Sequence, residues 1–396
     1  MNLNIITLKS SLHDEKALGE STLGFLKEVT NELNKIEKTN VTINENNNDG
    51  FNLIFIETGG SEGLFLKNKD NLKEPYYLLT NGNNNSLAAS LEIMTYININ
   101  NLKGEVIHGN ISYVSNRIYE LYKINELKKK LNNINLGVIG KPSDWLISSI
   151  PSYDLVKKKL GINLIDIPIS KLEDFFNKTS FVKPSNIKLD YNNEELLKAN
   201  KIYNGLDILV KEYKLDGLTL RCFDLLTSVK TTGCIGLALL NNEKIIATCE
   251  GDIAAMLSMT IATKLFDEFT FQANPSRIDT EKNNIIFAHC TIPFGMLNKF
   301  NLTTHFESKT GVAVKGYLKE EDVTILRISS NLKNYFLSEG HIIRNLDDPN
   351  LCRTQIEVHL DCDVKEILKN PCGNHHIIFY GRHKKLLKLL LDELLK

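Results

Sequence analysis

The chain has 396 residues, 42% hydrophobic and 24% charged, a globular balance that excludes a disordered or collagen-like protein. At this length two or three domains are expected, each large enough to bury its own core. Lys and Arg total 47 against 48 Asp and Glu, a net charge of −1, so no global positive field exists to make it a nucleic-acid binder.

In chain order, residues 3–8 form a short β-rich apolar run, residues 21–36 carry helical periodicity and residues 41–43 read as a second strand. The Asn-rich residues 44–49 read as a solvated loop. Residues 52–57 and 76–80 are near-continuous apolar runs, ending in the polar loops Thr58-Gly59-Gly60-Ser61 and Asn81-Gly82-Asn83-Asn84-Asn85. Ser86 is expected to cap a helix reaching residue 96. Short buried strands with polar, glycine-bearing loops at their C-terminal ends predict a parallel sheet, with ligands beyond those ends.

A second set begins at residue 135. Residues 136–139 read as a strand, 140–144 as its loop, and 145–149 as the start of the next element. Residues 164–169, 218–222, 234–240 and 244–249 read as strands, and 171–177, 193–214 and 253–269 as helices. Beyond residue 271 helical patterns thin out. Strand patterns recur at 285–289, 312–318, 323–328, 355–358 and 377–380, before a last amphipathic helix at 384–395. The predicted fold class is therefore α/β: two doubly wound α/β domains followed by a β-rich C-terminal domain, an antiparallel sheet or barrel. The expected boundaries are 1–134, 135–271 carrying Glu250, and 272–396 carrying His375.

No uncharged apolar run approaches the ~20 residues of a membrane span, and the first residues lack the basic and apolar segments of a secretory signal. Seven cysteines without a CxxC pair support neither a disulfide scaffold nor a thiolate zinc site. A cytoplasmic protein, with no membrane and no nucleic-acid partner, is the expectation.

Chemistry concentrates late in the chain. Glu250 stands between an apolar strand and a helix, where α/β folds place functional side chains. Asp252 suits an acidic helix start. Asn274 falls in the loop-like stretch Phe271-Gln272-Ala273-Asn274-Pro275, and His289 ends a strand. His375 and His376 stand at the mouth of another strand, and alternation lets only one of the pair face a given site. Such an oxygen-and-imidazole set suits Mn or Mg better than structural zinc, while loop-end histidines satisfied by backbone groups are the competing explanation. The chain has no GxGxxG after its first strand and no GxxxxGK[ST], which argues against dinucleotide and P-loop sites. The one GxSxG, Gly59-Gly60-Ser61-Glu62-Gly63, is not expected to lead into the helix that a nucleophile elbow needs, because residues 64–69 soon run into polar residues and Pro75. The loops holding Gly60 and Asn85 are either cradles for an anion or polyol or plain turns. Trp145, the only tryptophan, is either a stacking platform or core.

Taken together, several segments resemble the compact branch of the L-fucose/L-arabinose isomerase superfamily: Cys249-Glu250-Gly251-Asp252, Asn274-Pro275 with Arg277-Ile278-Asp279, Ala288-His289-Cys290-Thr291, His305-Phe306-Glu307-Ser308, Cys352-Arg353-Thr354 and Asn374-His375. Earlier, Ile139-Gly140-Lys141-Pro142-Ser143-Asp144-Trp145-Leu146 and Asn84-Asn85-Ser86-Leu87-Ala88-Ala89 extend the resemblance over most of the chain. It implies a metal site built from Glu250, the position of Asn274 and His375, holding a divalent cation, Mn²⁺ foremost. Asn274 departs from the family's acidic residue there: its carbonyl can coordinate, but it cannot carry a proton. His289, Asp252 or Asp279 is left to replace it, with His289 the best placed.

The implied activity is aldose–ketose isomerisation of an open-chain sugar, a deoxy or anionic hexose among the candidates, through a cis-enediol. In it Glu250 moves the C2 proton and His289 contributes an ionisation between roughly pH 6 and 7. Arg353, Trp145, Asn85 and Gly60 would hold the sugar. The resemblance also implies a homo-oligomer, a hexamer or another multiple. Two other readings stay open: an epimerase or lyase on the same scaffold, and a non-catalytic sugar-binding protein.

Overall fold

Runs of fully buried apolar residues alternate with amphipathic helices over the first two thirds of the chain, and most of these runs become parallel strands. The computed structural model describes residues 1–11, 15–37, 41–45, 51–178, 189 and 194–395. It divides into two compact units, Met1–Glu126 and Leu127–Lys396.

The first unit contains β1 (Asn2–Leu8), α1 (Glu15–Glu37), β2 (Thr42–Glu45), β3 (Phe51–Ile56), α2 (Glu62–Asn68), β4 (Tyr76–Leu79), α3 (Ser86–Ile99) and β5 (Gly104–Ile107), with α4 (Ile111–Leu131) crossing its end. Its five strands lie in the order β2-β1-β3-β4-β5, each pair parallel. The sheet is covered on both faces. Leu53, Phe55, Tyr77 and Leu79 pack with Val114 and Ile118 of α4, while Ile54, Ile56 and Leu78 pack with Ala89 and Ile93 of α3. Three local expectations change. Ser86 is the first helical residue, and Asn85, at φ 60°, precedes it without a side-chain cap. A seven-residue helix does follow the GxSxG. The Asn-rich residues 46–49 lie outside the described residues, while 44 and 45 extend β2.

The second unit opens with β6 (Asn135–Ile139), α5 (Tyr153–Leu160), β7 (Asn163–Ile167), α6 (Ile169–Lys178), α7 (Glu194–Glu212), β8 (Gly217–Leu220), α8 (Asp224–Ser228), α9 (Cys234–Asn242), β9 (Ile246–Cys249) and α10 (Ile253–Phe266). Its parallel sheet runs β7-β6-β8-β9. Residue 193, expected to open the helix that became α7, lies outside the described residues. Residues 234–240, expected as a strand, are helical: a short, wholly apolar run reads the same in either state. Residues 145–149 are an irregular loop rather than the start of an element.

The remainder is β10 (Phe271–Asp279), β11 (Asn284–His289), β12 (Leu297–Thr303), β13 (Ala313–Leu318), β14 (Asp322–Ile328), β15 (Tyr335–Asn345), β16 (Thr354–Leu360), α11 (Lys365–Lys369), β17 (His376–Tyr380) and α12 (Lys384–Leu395). Six of these strands close into an antiparallel barrel, β10-β11-β16-β15-β14-β17, and β12-β13 form a separate hairpin. Closure removes the sheet edges that a β-rich domain would otherwise expose. The α/β sheet and the barrel of this unit share one apolar core, in which Leu218 and Leu237 join Phe271, Phe287, Ile325 and Ile378. Helix α10 is apolar nearly all round because it is buried between β9 and β14. Asn274 lies in strand β10, next to an irregularity of register between Pro275 and Arg277, where a loop was expected. No helix among the described residues is long and apolar enough to cross a membrane.

Candidate active site

Everything at the site starts from one strained turn. Strand β9 ends at Cys249, and Glu250 and Gly251 follow at φ 65° and 71°. A non-glycine residue in the left-handed region costs of the order of 1–3 kcal/mol, and such strain gathers at functional sites. The turn is held by Gly251 N donating to Leu220 O (3.1 Å) and Ser143 N donating to Glu250 O (2.9 Å). A Cβ on residue 251 would stand 2.6 Å from both Lys141 O and Pro142 Cα, so glycine lets the loop after β6 press directly on the turn. That loop delivers Trp145, whose indole Nε1 donates to Glu250 Oε2 at 2.7 Å. The Trp145 ring stands edge-on to Phe223 with centroids 5.0 Å apart, its outer side half exposed.

Two barrel strands bring the imidazoles. His375 directly precedes β17 and His289 ends β11. His375 Nε2 lies 3.5 Å and His289 Nε2 4.0 Å from Glu250 Oε1. One ligand atom from each of the three residues falls within 4.8 Å of the others. His376 faces the opposite way, against Phe287 and Phe336, so His375 is the member of the pair that faces Glu250. On the far side of His375, Nδ1 is 2.8 Å from Asp252 Oδ2. An ionised carboxylate only accepts, so Nδ1 carries the proton and Nε2 is the nitrogen presented to Glu250. His289 is oriented by Thr291 Oγ1, 3.1 Å from its Nδ1.

Asp252 does three jobs at once. It caps α10 by accepting from Ala255 N at 2.8 Å, holds His375, and accepts from Arg327 Nη1 at 2.9 and 3.1 Å. Arg327 also donates to Ser149 Oγ at 2.8 Å, and both Arg327 and Asp252 are fully buried. A lone arginine in the apolar strand Asp-Val-Thr-Ile-Leu-Arg-Ile is the signal in the sequence that marks a buried partner for a carboxylate. With its acceptors committed in this way, Asp252 orients His375 and has no free role as a proton carrier.

The charges follow from these contacts. Burial pushes Glu250 up, but the hydrogen bond and charge of His375, the charge of His289 and the Trp145 donor outweigh it and hold the carboxyl at about 2. Asp252 is likewise pushed up by burial and held down, at about 2, chiefly by Arg327. His375 is pushed down by burial but raised to about 9 by its bonds to Asp252 and Glu250. Burial, reinforced by the charge of His375, drives His289 down to about 3. The ionisation expected from His289 between pH 6 and 7 is therefore displaced far to the acid side, because its ring is buried beside a cation.

A cavity of about 380 Å³ opens onto the cluster, lined by Trp145, Phe223, Glu250, Asn274, Glu307 and Asn374. Asn274 Oδ1 is buried without a hydrogen-bond partner. An unsatisfied buried acceptor beside a carboxylate and two imidazoles fits a divalent cation, which would supply the missing partner. Burial and the charge of Glu250 raise Glu307 above the usual carboxylate range. A separate cavity of about 500 Å³ beside Gly140, Lys141 and Arg221 shares no residue with this one.

The other expected residues fall elsewhere. Arg353 donates to Thr304 O (2.8 Å) and Oγ1 (3.2 Å) and is not part of the cavity lining. Asp279 accepts from the backbone of Glu281 and Lys282 at a turn. Asn85 and Gly60 belong to the first unit, where Gly59 N donates to Asn84 O at 2.7 Å and joins their two loops. Ser61 is buried with its hydroxyl on Thr58 O, which leaves no nucleophile at the GxSxG. Phe223, Glu307, Asn374 and Arg327 are site residues to which sequence reasoning gave no role, although Glu307 and Asn374 stand within the resembling segments.

No family model matches the chain. It is similar to the sulfoquinovose isomerases of Priestia aryabhattai and Priestia megaterium, 23% identical over 286 residues in each case, covering 67% of this chain and 64% of theirs. A sulfoquinovose isomerase of a Clostridium species is 29% identical over 205 residues, 49% of this chain and 46% of that protein. The chain thus spans 64% or less of the length of these curated relatives. Similarity at this level supports the isomerase superfamily that the motifs resemble.

Proposed function

We propose that the chain is an aldose–ketose isomerase acting on an open-chain anionic sugar of the sulfoquinovose kind, with a divalent cation, Mn²⁺ foremost, held by Glu250, His289 and His375. The observation that carries this reading is the convergence of those three side chains within 4.8 Å, beside the unpartnered Asn274 Oδ1 as a further donor. When bound, such a cation supplies Lewis acidity for a sugar carbonyl and its neighbouring hydroxyl.

The chain's own residues do the rest. Trp145 fixes one oxygen of Glu250 and leaves Oε1 toward the histidines, so the carboxylate is aimed and ionised to take the C2 proton and return it at C1. His289, neutral and buried, suits a donor to the cation more than a proton carrier. The second carboxylate of the cavity, Glu307, takes the proton work that Asn274 cannot do. Two carboxyls in one cavity, one pushed down and one pushed up, divide into base and acid. Trp145 and Phe223 supply apolar faces for the sugar carbons. None of the six lining residues is cationic, so the anionic character of the substrate rests on the relatives and not on the cavity.

The test is incubation with a panel of aldoses, sulfoquinovose included, in D₂O with Mn²⁺. Deuterium at C1 of the ketose or C2 of the aldose is the expected result. A sugar that binds without exchange from any member of the panel would identify a non-catalytic binding protein instead.

A further inference from the structure

The sequence contains no CxxC pair, yet folding gathers thiols from distant positions. Cys234 opens α9, Cys290 directly follows β11, and His305 lies between β12 and β13. The Sγ atoms of Cys234 and Cys290 are 3.4 Å apart. Together with one nitrogen of His305, the three donors lie within 4.8 Å of one another. All three residues are buried, at 2%, 3% and 7% exposure. Two thiolates, each about 2.3 Å from a tetrahedral zinc ion, stand about 3.8 Å apart, so the cysteine pair needs only a small adjustment to bind one.

The surroundings are arranged for a ligand imidazole. Ser308 Oγ holds His305 Nδ1 at 3.0 Å, the kind of outer contact that fixes a metal-binding ring. Cys352 interacts electrostatically with Cys290 and adds a third thiol near the group. His289 and Cys290 are consecutive, the first a member of the Glu250 cluster and the second of the thiol group, so neighbouring residues serve the two donor sets. They differ in kind, one of carboxylate and imidazole, the other of thiol and imidazole, and so select different metals.

We propose that Cys234, Cys290 and His305 form a second metal centre, of the thiolate–imidazole type that takes zinc, distinct from the Glu250 cluster. Binding exchanges one divalent ion for the two thiol protons, which pass to solvent as the two sulfur–metal bonds form. The centre pins the segment that carries both His305 and the cavity residue Glu307 onto α9 and the end of β11. It does not depend on the isomerase reading.

The experiment is a Co²⁺ titration of the reduced, metal-stripped full chain. A thiolate-to-cobalt charge-transfer band is expected at one equivalent, abolished by Cys234→Ser or Cys290→Ser, retained in Glu250→Gln and bleached by Zn²⁺. Uptake of Co²⁺ by the reduced wild type without that band, or a band that survives both serine substitutions, overturns the proposal. If the serine variants do not fold, alkylation of the wild type decides: Zn²⁺ should protect Cys234 and Cys290 from iodoacetamide, and equal labelling with and without Zn²⁺ overturns it.

Discussion

The Oδ2 atom of Asp252 lies 2.8 Å from Nδ1 of His375, and the same carboxylate receives the guanidinium of Arg327. A helix cap, a buried ion pair and the orientation of an imidazole thus converge on one side chain. Helix α10, the barrel strand β14 and the segment before β17 are locked at a common point, which is what places His375 against Glu250.

Asp252→Ala should therefore be costly far beyond a lost cap. It strands a buried guanidinium, and breaking such a pair costs roughly 3–5 kcal/mol. Urea unfolding of the two proteins measures it, and a loss under about 1 kcal/mol would mean the pair is solvated. The milder Asp252→Asn should lower cation affinity by about 10–100-fold, because it removes the acceptor that aims His375.

Glu250→Gln keeps the size of the side chain and its bond to Trp145 but removes the proton carrier. The variant should remain folded by circular dichroism and show no deuterium exchange into the sugar. Activity within a few-fold of wild type would move the base to another group.

Asn274, His289 and Glu307 divide the remaining roles. Asn274→Ala and His289→Gln should each weaken cation binding, and excess Mn²⁺ should recover most of the rate. Glu307→Gln should lower kcat by about 10²–10⁴-fold at saturating Mn²⁺, the usual weight of a general acid or base. If the metal rescues Glu307→Gln but not His289→Gln, then the imidazole carries the proton.

Cation uptake should release a proton near neutral pH. In the metal-free protein His375 is raised to about 9, so below that pH its ring is charged and must lose a proton before Nε2 can coordinate. Affinity should climb with pH from about 6 toward 9 and then level off. Calorimetry in buffers of different ionisation enthalpy measures the released proton. Affinity flat across this range would place the neutral ring in the metal-free state already.

Much of the scaffold was legible in the sequence because its signals are local. Apolar runs such as Phe51–Ile56 and Asn135–Ile139, ending in polar glycine-bearing loops, announce parallel strands, and Glu250 was found from its place at such an end. The strands β5, β10, β12 and β15 have no counterpart in the sequence reading because polar residues interrupt their apolar pattern, and Cys234–Leu240 reads as a strand because a short, wholly apolar run has no period.

What the tertiary structure alone decided is which side chains meet. Strand alternation allows either His375 or His376 to face a site, and only the packing of His376 against Phe287 and Phe336 turns His375 toward Glu250. Cys234 and Cys290 are 56 residues apart, Arg327 and Asp252 are 75 apart, and no local spacing rule connects either pair. Barrel closure and the burial of α10 bring them together. Burial pushes both imidazoles down, His289 to about 3, while the carboxylates of Asp252 and Glu250 lift His375 to about 9. Residue types are written in the chain, but desolvation and neighbours belong to the folded state, and those decide which imidazole is charged.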